Sequence, residues 1–391
     1  MVQLLPKLKE VDKHLSFLRK VFTKNGLRHI LNYVNGLICL NKKTIKKISE
    51  ASPDETNHAA IQRILNESES ELKSLEERLM KKIVYYCKGQ KISLIIDDTL
   101  VERNGKKIEE IQSHYNHSDN DFITGHQFFT ALVHTNNLQL PLFPQLYSKS
   151  TDSKIDMARK LIDKVLTTIK IDNVIVDSWY SDKKLIKKCM TKGIRVSCII
   201  KTNRRISLKN GEWESLDKFS KKVSRKKSPI VYFNDKKYKV FNCEAKLNGV
   251  PFIKLVVTRE WDEKKKRWGK SNHLISTFLQ DSVEDVMSIY SIRWCIEVYH
   301  RDIKQNLGFA SAFLRKKEGI VGHTILVALA YAALRLFMHV RGISMSIGEC
   351  CLQMYDKATN DFLREIILID DKKRRIKMFE ELFINKNKQV Q

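Results

Sequence analysis

Between Ser288 and Gly308 the sequence sets Glu297 among cations. On a helix, at about 100° per residue, Tyr290, Arg293, Glu297, Arg301 and Lys304 fall within an arc of about 80°. Ile292, Ile296, Tyr299 and Ile303 fall on the other side, an apolar stripe suited to docking on a sheet. A solvated helix stitched by i,i+4 ion pairs would scatter its acids and lysines round the outer face. One carboxylate among three cations and a phenol, beside Trp294, is a different pattern.

Two more acids stand where buried strands should end. Ile92 to Ile96 is a short apolar run leading into Asp97-Asp98-Thr99, and Val174 to Val176 leads into Asp177. Runs apolar on both faces read as central strands. If these strands are neighbours, Asp98, Asp177 and Glu297 can meet. Three converging carboxylates repel one another, and a divalent cation relieves them. Mg²⁺ takes oxygen ligands and keeps places for water and phosphate oxygens, and two such ions can serve both oxygens of a displacement. Arg293, Arg301 and Lys304 suit phosphate contact. The pattern points to phosphodiester chemistry.

Composition agrees. Lys plus Arg number 71 against 45 Asp plus Glu, a formal net charge of +26, which calls for a polyanionic partner such as nucleic acid. The 391 residues, 42% hydrophobic, allow roughly two to three domains, and only 14 Gly and 6 Pro exclude collagen-like or low-complexity classes. The 8 cysteines contain no C-x-x-C pair, so neither a zinc module nor a disulfide framework is expected. His114, His117, His126 and His134 match no zinc spacing and read as structural. Met1 to Glu10 lacks an apolar signal core, and Thr324 to Val340, which contains Arg335 and His339, reads as a buried core helix. A cytoplasmic protein without a membrane partner is expected.

The elements that position these residues follow from periodicity. Residues 1–88 read as helical, with short helices at Thr44 to Glu50 and Asp54 to Leu65 around Ser52-Pro53-Asp54, a loose helix-turn-helix outline. Next come strands at Ile92 to Ile96, Gln127 to His134 and Gln139 to Tyr147, with Asn136-Asn137 as a turn. A helix at Ser153 to Ile169, a strand at Val174 to Asp177, a helix at Asp182 to Lys192 and a strand at Arg195 to Lys201 complete a β-β-β-α-β-α-β order. Ile230 to Phe233, Tyr238 to Lys246 and Phe252 to Arg259 alternate as strands, with Asn234-Asp235 and Asn248-Gly249 as hairpin turns. This stretch carries basic runs at Lys221, Lys222, Arg225, Lys226, Lys227 and at Lys264 to Arg267. Long helices follow, and the tail, with Lys372 to Arg375, is helical and basic.

Tyr290-x2-Arg293-x3-Glu297-x6-Lys304 resembles the Tyr-Arg-Glu-Lys signature of DDE transposases of bacterial insertion sequences. Asp97-Asp98-Thr99 and Asp177-Ser178-Trp179-Tyr180 resemble that family's first and second acid motifs. Gly125-His126 and the stretch Lys201 to Arg205 are also similar to family segments, and the likeness covers about residues 25–340. The resemblance implies an α/β protein with a ribonuclease-H-like catalytic core and a mostly β insertion. The implied divisions are 1–88, a helical DNA-binding region; 89–205, the first part of the core; 206–278, the insertion; 279–345, the second part with the Glu helix; and 346–391, a basic helical end.

By the same resemblance Asp98, Asp177 and Glu297 form the metal-binding catalytic triad, with Asp98 preferred to Asp97 as the acid directly before the Thr. Tyr290, Arg293, Arg301, Lys304, Arg204 and Arg205 would contact DNA. Trp268, with Trp261 second, would receive a base taken out of the stack. The implied activity is cut-and-paste transposition: binding of terminal inverted repeats, Mg²⁺- or Mn²⁺-dependent phosphodiester hydrolysis, and strand transfer into target DNA by a dimer on DNA. The competing readings are a nuclease of this fold that only cleaves, and a catalytically silent DNA-binding descendant of a transposase.

Overall fold

The computed structural model describes residues 5, 7–52, 56–66, 69–105, 107–116, 121–208, 211–224, 228–373 and 375–376. His117, Pro53, Asp54, the run Arg225 to Lys227 and Arg374 lie outside these.

The chain opens with helices α1 (Lys9–Asp12), a 3₁₀ stretch Lys13–Lys20, α2 (Lys24–Cys39), α3 (Ile45–Ala51), α4 (His58–Leu65) and α5 (Glu69–Cys87). Thr23, Thr44 and Asn57 cap α2, α3 and α4, each side chain accepting a backbone N–H three residues on. The helix expected from Asp54 therefore starts later, where Asn57 supplies the cap.

The central part alternates strands and helices: β1 (Ser93–Glu102), β2 (Gln112–Asn116), β3 (Asp121–Thr135), β4 (Leu138–Pro141), β5 (Gln145–Tyr147), α6 (Lys154–Leu166), β6 (Asn173–Val176), α7 (Lys183–Thr191) and β7 (Arg195–Ile199). Then follow β8 (Arg205–Ser207), β9 (Glu214–Ser215), α8 (Leu216–Ser224), β10 (Ile230–Phe233), β11 (Lys236–Leu247), β12 (Val250–Asp262) and β13 (Arg267–Ser276). The chain returns to helices in α9 (Val283–Ser291), α10 (Trp294–Gln305), α11 (Lys317–Arg341) and α12 (Ile347–Ile367).

Among the described residues the strands form a single sheet in the order β2-β3-β1-β6-β7-β13-β12-β11-β8-β9. β3 is antiparallel to β1, and its other edge carries β2, β5 and β4 in turn. β1, β6 and β7 are parallel, with α6 and α7 as the crossovers. The fold is thus mixed α/β. The first strand does not stop at the acids, as the sequence suggested. It runs on to Glu102, held by β3, while its pairing with β6 ends at Ile96↔Val176.

The stretch 206–278 is β-rich but is not set apart from the core sheet. β13 pairs with β7 from Leu274↔Ile199 to Ser276↔Ser197, so the hydrogen-bond ladder continues through it. Asn234 and Asp235, both with positive φ (47° and 59°), make the tight turn between β10 and β11.

α11 contains the apolar run read from the sequence as a core helix, and nearly all of it is inside the protein. It packs on α2, α4 and β4, tying the N-terminal helices to the sheet. The contact with α4 needs glycine: a Cβ on Gly322 would sit 2.0 Å from the Leu65 carbonyl oxygen. Gly322→Ala must push α4 off α11, at a cost of about 2 kcal/mol. A urea midpoint equal to the parent's would refute this close packing.

Candidate active site

The acids gather at the end of the parallel pairing. One step beyond Ile96↔Val176, Asp97 on β1 and Asp177 after β6 come level on adjacent strands. Side-by-side residues of parallel strands share a face, on strands about 4.8 Å apart. Asp177 starts a turn: its carboxylate accepts the backbone N–H groups of Trp179 (2.9 Å) and Tyr180 (3.2 Å).

Side-chain alternation along β1 separates the Asp doublet. Asp97 pairs with Thr130, whose hydroxyl lies 2.8 Å from Nε2 of His300 on α10. Asp97 therefore faces α10. There Nη1 of Arg293 lies 3.4 Å from its Oδ2, and Nη2 of the same guanidinium pairs with Glu297. Asp98 pairs with Phe129 and faces the opposite side. It receives Lys154 Nζ (3.0 Å), the Tyr180 hydroxyl (3.0 Å) and the Gln127 amide. The sequence pointed to Asp98 as the companion of Glu297. The structure sets Asp97 there, because a doublet in a strand sends its two side chains to opposite faces.

The Glu helix is not continuous. α9 ends at Ser291, and the N–H groups of Arg293 and Ile296 bond carbonyls three residues back, a tight turn before α10. The apolar stripe docks as expected, with Ile296, Tyr299 and Ile303 fully buried. The cationic face divides. Arg293 turns to the acids, with its guanidinium carbon 5.9 Å from the Tyr290 ring centre. Lys304 donates to the Leu100 carbonyl of β1 at 2.9 Å, so it docks α10 on the sheet instead of facing outward. Arg301 is exposed and lies 3.7 Å from Asp302.

Charge crowding shows in the titration of the acids. Burial, then Asp177 and Asp98, push Asp97 up to about 7, against the Asp98 N–H and Arg293. Burial raises Asp177 too, opposed by its two backbone N–H bonds. Burial pushes the Tyr290 phenol up to about 12. His300 is driven down to about 3 by burial and by Lys304 and Arg293, so it is neutral toward Thr130.

Asp97, Asp177 and Glu297 offer oxygen donors of the type a hard divalent cation takes. They are not closed round one point: among the described residues no group of three or more His, Cys, Asp or Glu side chains is arranged to hold a metal ion. The Arg293 guanidinium stands between Asp97 and Glu297. The donor set fits a cation if Arg293 turns aside.

Other sequence candidates lie elsewhere. Trp268 and Trp261 pair across β12 and β13 with ring centres 5.1 Å apart, each half-buried against the other. Arg205 donates to the Trp213 carbonyl, and Arg204 lines a cleft beside Asp177. His126 meets the Glu109 carbonyl at 2.9 Å, and no disulfide joins the eight cysteines. Sequence reasoning missed Lys154 and Gln127, and it gave Lys201 no role of its own. Lys154 follows the Ser153 cap of a helix whose start was legible, but its partner Asp98 is 56 residues away.

Stability separates the two aspartates. The folded-state shift of Asp97 is upward, so its contribution is present below about pH 4 and lost as pH rises through about 7. Asp97→Asn removes that liability and should raise the melting temperature in chelator at pH 8 by about 2 °C. Asp98→Asn breaks the Lys154 pair and should lower stability by about 2 kcal/mol. Equal effects of both changes in scanning calorimetry would contradict the two-face arrangement.

Comparison with known proteins gives two family matches. Residues 17–210 match the DDE superfamily endonuclease family, and residues 147–346 match the family described as archaeal putative transposase ISC1217. The cryo-EM structure of a piggyBac transposase synaptic complex with hairpin DNA is similar over 96% of this chain and 83% of that one, at 10% identity and a TM-score of 0.48. No curated protein matches the chain. The second family match spans just over half of the chain, and the chain accordingly belongs to that transposase family of the DDE type.

Proposed function

We propose that the chain is a DNA transposase whose reacting centre is Asp97, Asp177 and Glu297. The observation that carries this is the single guanidinium of Arg293 shared by Asp97 and Glu297, with Asp177 beside them at the end of the parallel strands. The core order, β4 and β5 beside β3, then β1, β6 and β7, antiparallel in the first half and parallel in the second, supports a ribonuclease-H-like reading. The strands of 206–278 are then an insertion spliced onto the edge of that core. The matching family is described from archaea, and a bacterial insertion-sequence origin is part of this proposal only.

The three carboxylates would hold Mg²⁺, or Mn²⁺ as a substitute, and the metal when bound would activate the attacking oxygen and stabilise the leaving one. Arg293 then gives up its carboxylates and is free to turn to a phosphate of the DNA backbone. Lys304 keeps α10 on β1, and so keeps Glu297 level with the aspartates. The Asp177 turn is fixed by two backbone N–H groups that donate to its carboxylate, which would keep that carboxylate in place at the metal. Arg301, exposed on α10, would be open to a DNA phosphate.

DNA ends would also meet a second basic surface. Lys20, Arg78, Lys81 and Lys82 surround Phe17 and Tyr85 in one cleft of the N-terminal helices, and Tyr85 is 75% exposed. Cations interleaved with aromatic faces suit a nucleic-acid backbone and its bases. The reaction would free a 3′-hydroxyl at the element end and pass it to target DNA, two chains holding two ends.

Asp177→Asn and Asp97→Asn should each reduce metal-dependent nicking of element-end DNA by at least about a thousandfold, the scale on which positioned charge acts in catalysis. Asp98→Asn should retain far more activity when assayed well below its melting temperature. Parent-like nicking by Asp177→Asn would refute the site. Cleaved ends that never join a plasmid would leave a nuclease in place of a transposase.

A further inference from the structure

Arg293 stands where the two kinds of charge in the site meet. Among the described residues it is the only cation ion-paired with the three acids. Its Nη1 lies 3.4 Å from Oδ2 of Asp97, and its Nη2 pairs with Oε1 of Glu297. Oδ1 of Asp97 already accepts the Asp98 N–H at 2.8 Å, and Oδ1 of Asp177 accepts two N–H groups of its own turn. The guanidinium therefore covers the Asp97 oxygen that the backbone leaves over, together with one oxygen of Glu297.

Three features set this apart from an ordinary buried salt bridge. One guanidinium is divided between two carboxylates, from β1 and α10, although its planar fork fits a single carboxylate or phosphate with two N–H bonds. The shared pairing is not the tightest that an arginine makes. Arg293 also sits at the break between α9 and α10, its side chain caps no helix, and 20% of that side chain stays accessible. Finally, the nearest other cations are committed: Lys304 to the Leu100 carbonyl, and Lys154 to Asp98 on the opposite face of β1.

A guanidinium and a divalent cation on the same carboxylate oxygens repel each other, so metal binding to Asp97 and Glu297 requires Arg293 to move. In water alone the freed guanidinium loses two anionic partners and gains none. A DNA phosphate supplies one that matches its fork. On the footing that the chain is a DNA transposase, we propose that Arg293 is a placeholder cation that makes metal binding conditional on DNA. It holds Asp97 and Glu297 until a DNA phosphate takes over the guanidinium, and the two carboxylates then accept a divalent ion. Coupling of this kind is reciprocal, so the metal tightens DNA by the same factor as DNA tightens the metal.

The test is Mn²⁺ binding to the full chain at fixed ionic strength, read from the free-ion electron paramagnetic resonance signal, with and without a short mixed-sequence duplex. Binding that survives in Asp177→Asn is subtracted as adventitious. The parent should bind Mn²⁺ about tenfold more tightly with the duplex than without it, within the usual range of coupling between two sites. Without DNA, Arg293→Gln should bind Mn²⁺ about tenfold more tightly than the parent, and the duplex should then add little. Arg293→Lys keeps the charge but has no planar fork to span two carboxylates, and it should fall between the two. A purely structural role predicts the opposite, metal binding by Arg293→Gln no better than the parent's, because the acids would lose their alignment. A second readout needs no variant of Arg293. By fluorescence anisotropy the parent should bind the duplex about tenfold more tightly in Mn²⁺ than in chelator, a gain that Asp177→Asn loses. Mn²⁺ affinity unchanged by the duplex in the parent, or no higher in a folded Arg293→Gln chain, would overturn the proposal. Nicking is read separately. Coupling without nicking would sink the transposase reading and leave the role of Arg293 standing, and nicking without coupling would do the reverse.

Discussion

Repulsion between carboxylates is the constraint on which this molecule is built. Asp97, Asp177 and Glu297 come from three distant parts of the chain, and one guanidinium is shared by two of them. Nothing in a hydrophobic core requires such an arrangement, and burial makes it costlier by raising Asp97 and Asp177. The surrounding structure holds it all the same. β1 is anchored on both sides, by β3 and β6, and α10 is pinned by Lys304 and by three buried side chains. Strain of this kind at one point of an otherwise consistent fold is where function is expected.

The two faces of β1 divide the labour. On the α10 side, Asp97 meets Arg293, a cation it shares with Glu297. On the other, Asp98 meets Lys154, Tyr180 and Gln127, which fill its acceptor positions. The aspartate that looks redundant in the sequence thus fixes the start of α6 and the turn after β6 relative to β1. A doublet that reads as one motif performs two separate tasks.

Much of this was legible in the sequence. The helical character of the Glu segment, though not its break at Ser291, its buried stripe, the helices beginning near Ser153 and Asp182 and the core helix near Thr324 all follow from local periodicity. What the sequence concealed was non-local. Whether Asp97 or Asp98 shares a cation with Glu297 depends on strand phase, and a run apolar on both faces gives no phase. Continuation of β1 past its acids depends on β3, and the joining of 206–278 to the core depends on the β13–β7 pairing, between residues about seventy-five positions apart. Lys304 looked like a phosphate contact because a helical wheel shows direction but not depth.

The continuous ladder from β7 through β13 and β12 has a mechanical consequence. The basic tip between β12 and β13, with Lys264 to Arg267, sits at the far end of the same hydrogen-bonded plate that carries Asp177. Paired strands run from one to the other through β13 and β7. The tip and the acids are thereby parts of one hydrogen-bonded body, with no hinge of unpaired chain between β13 and β6.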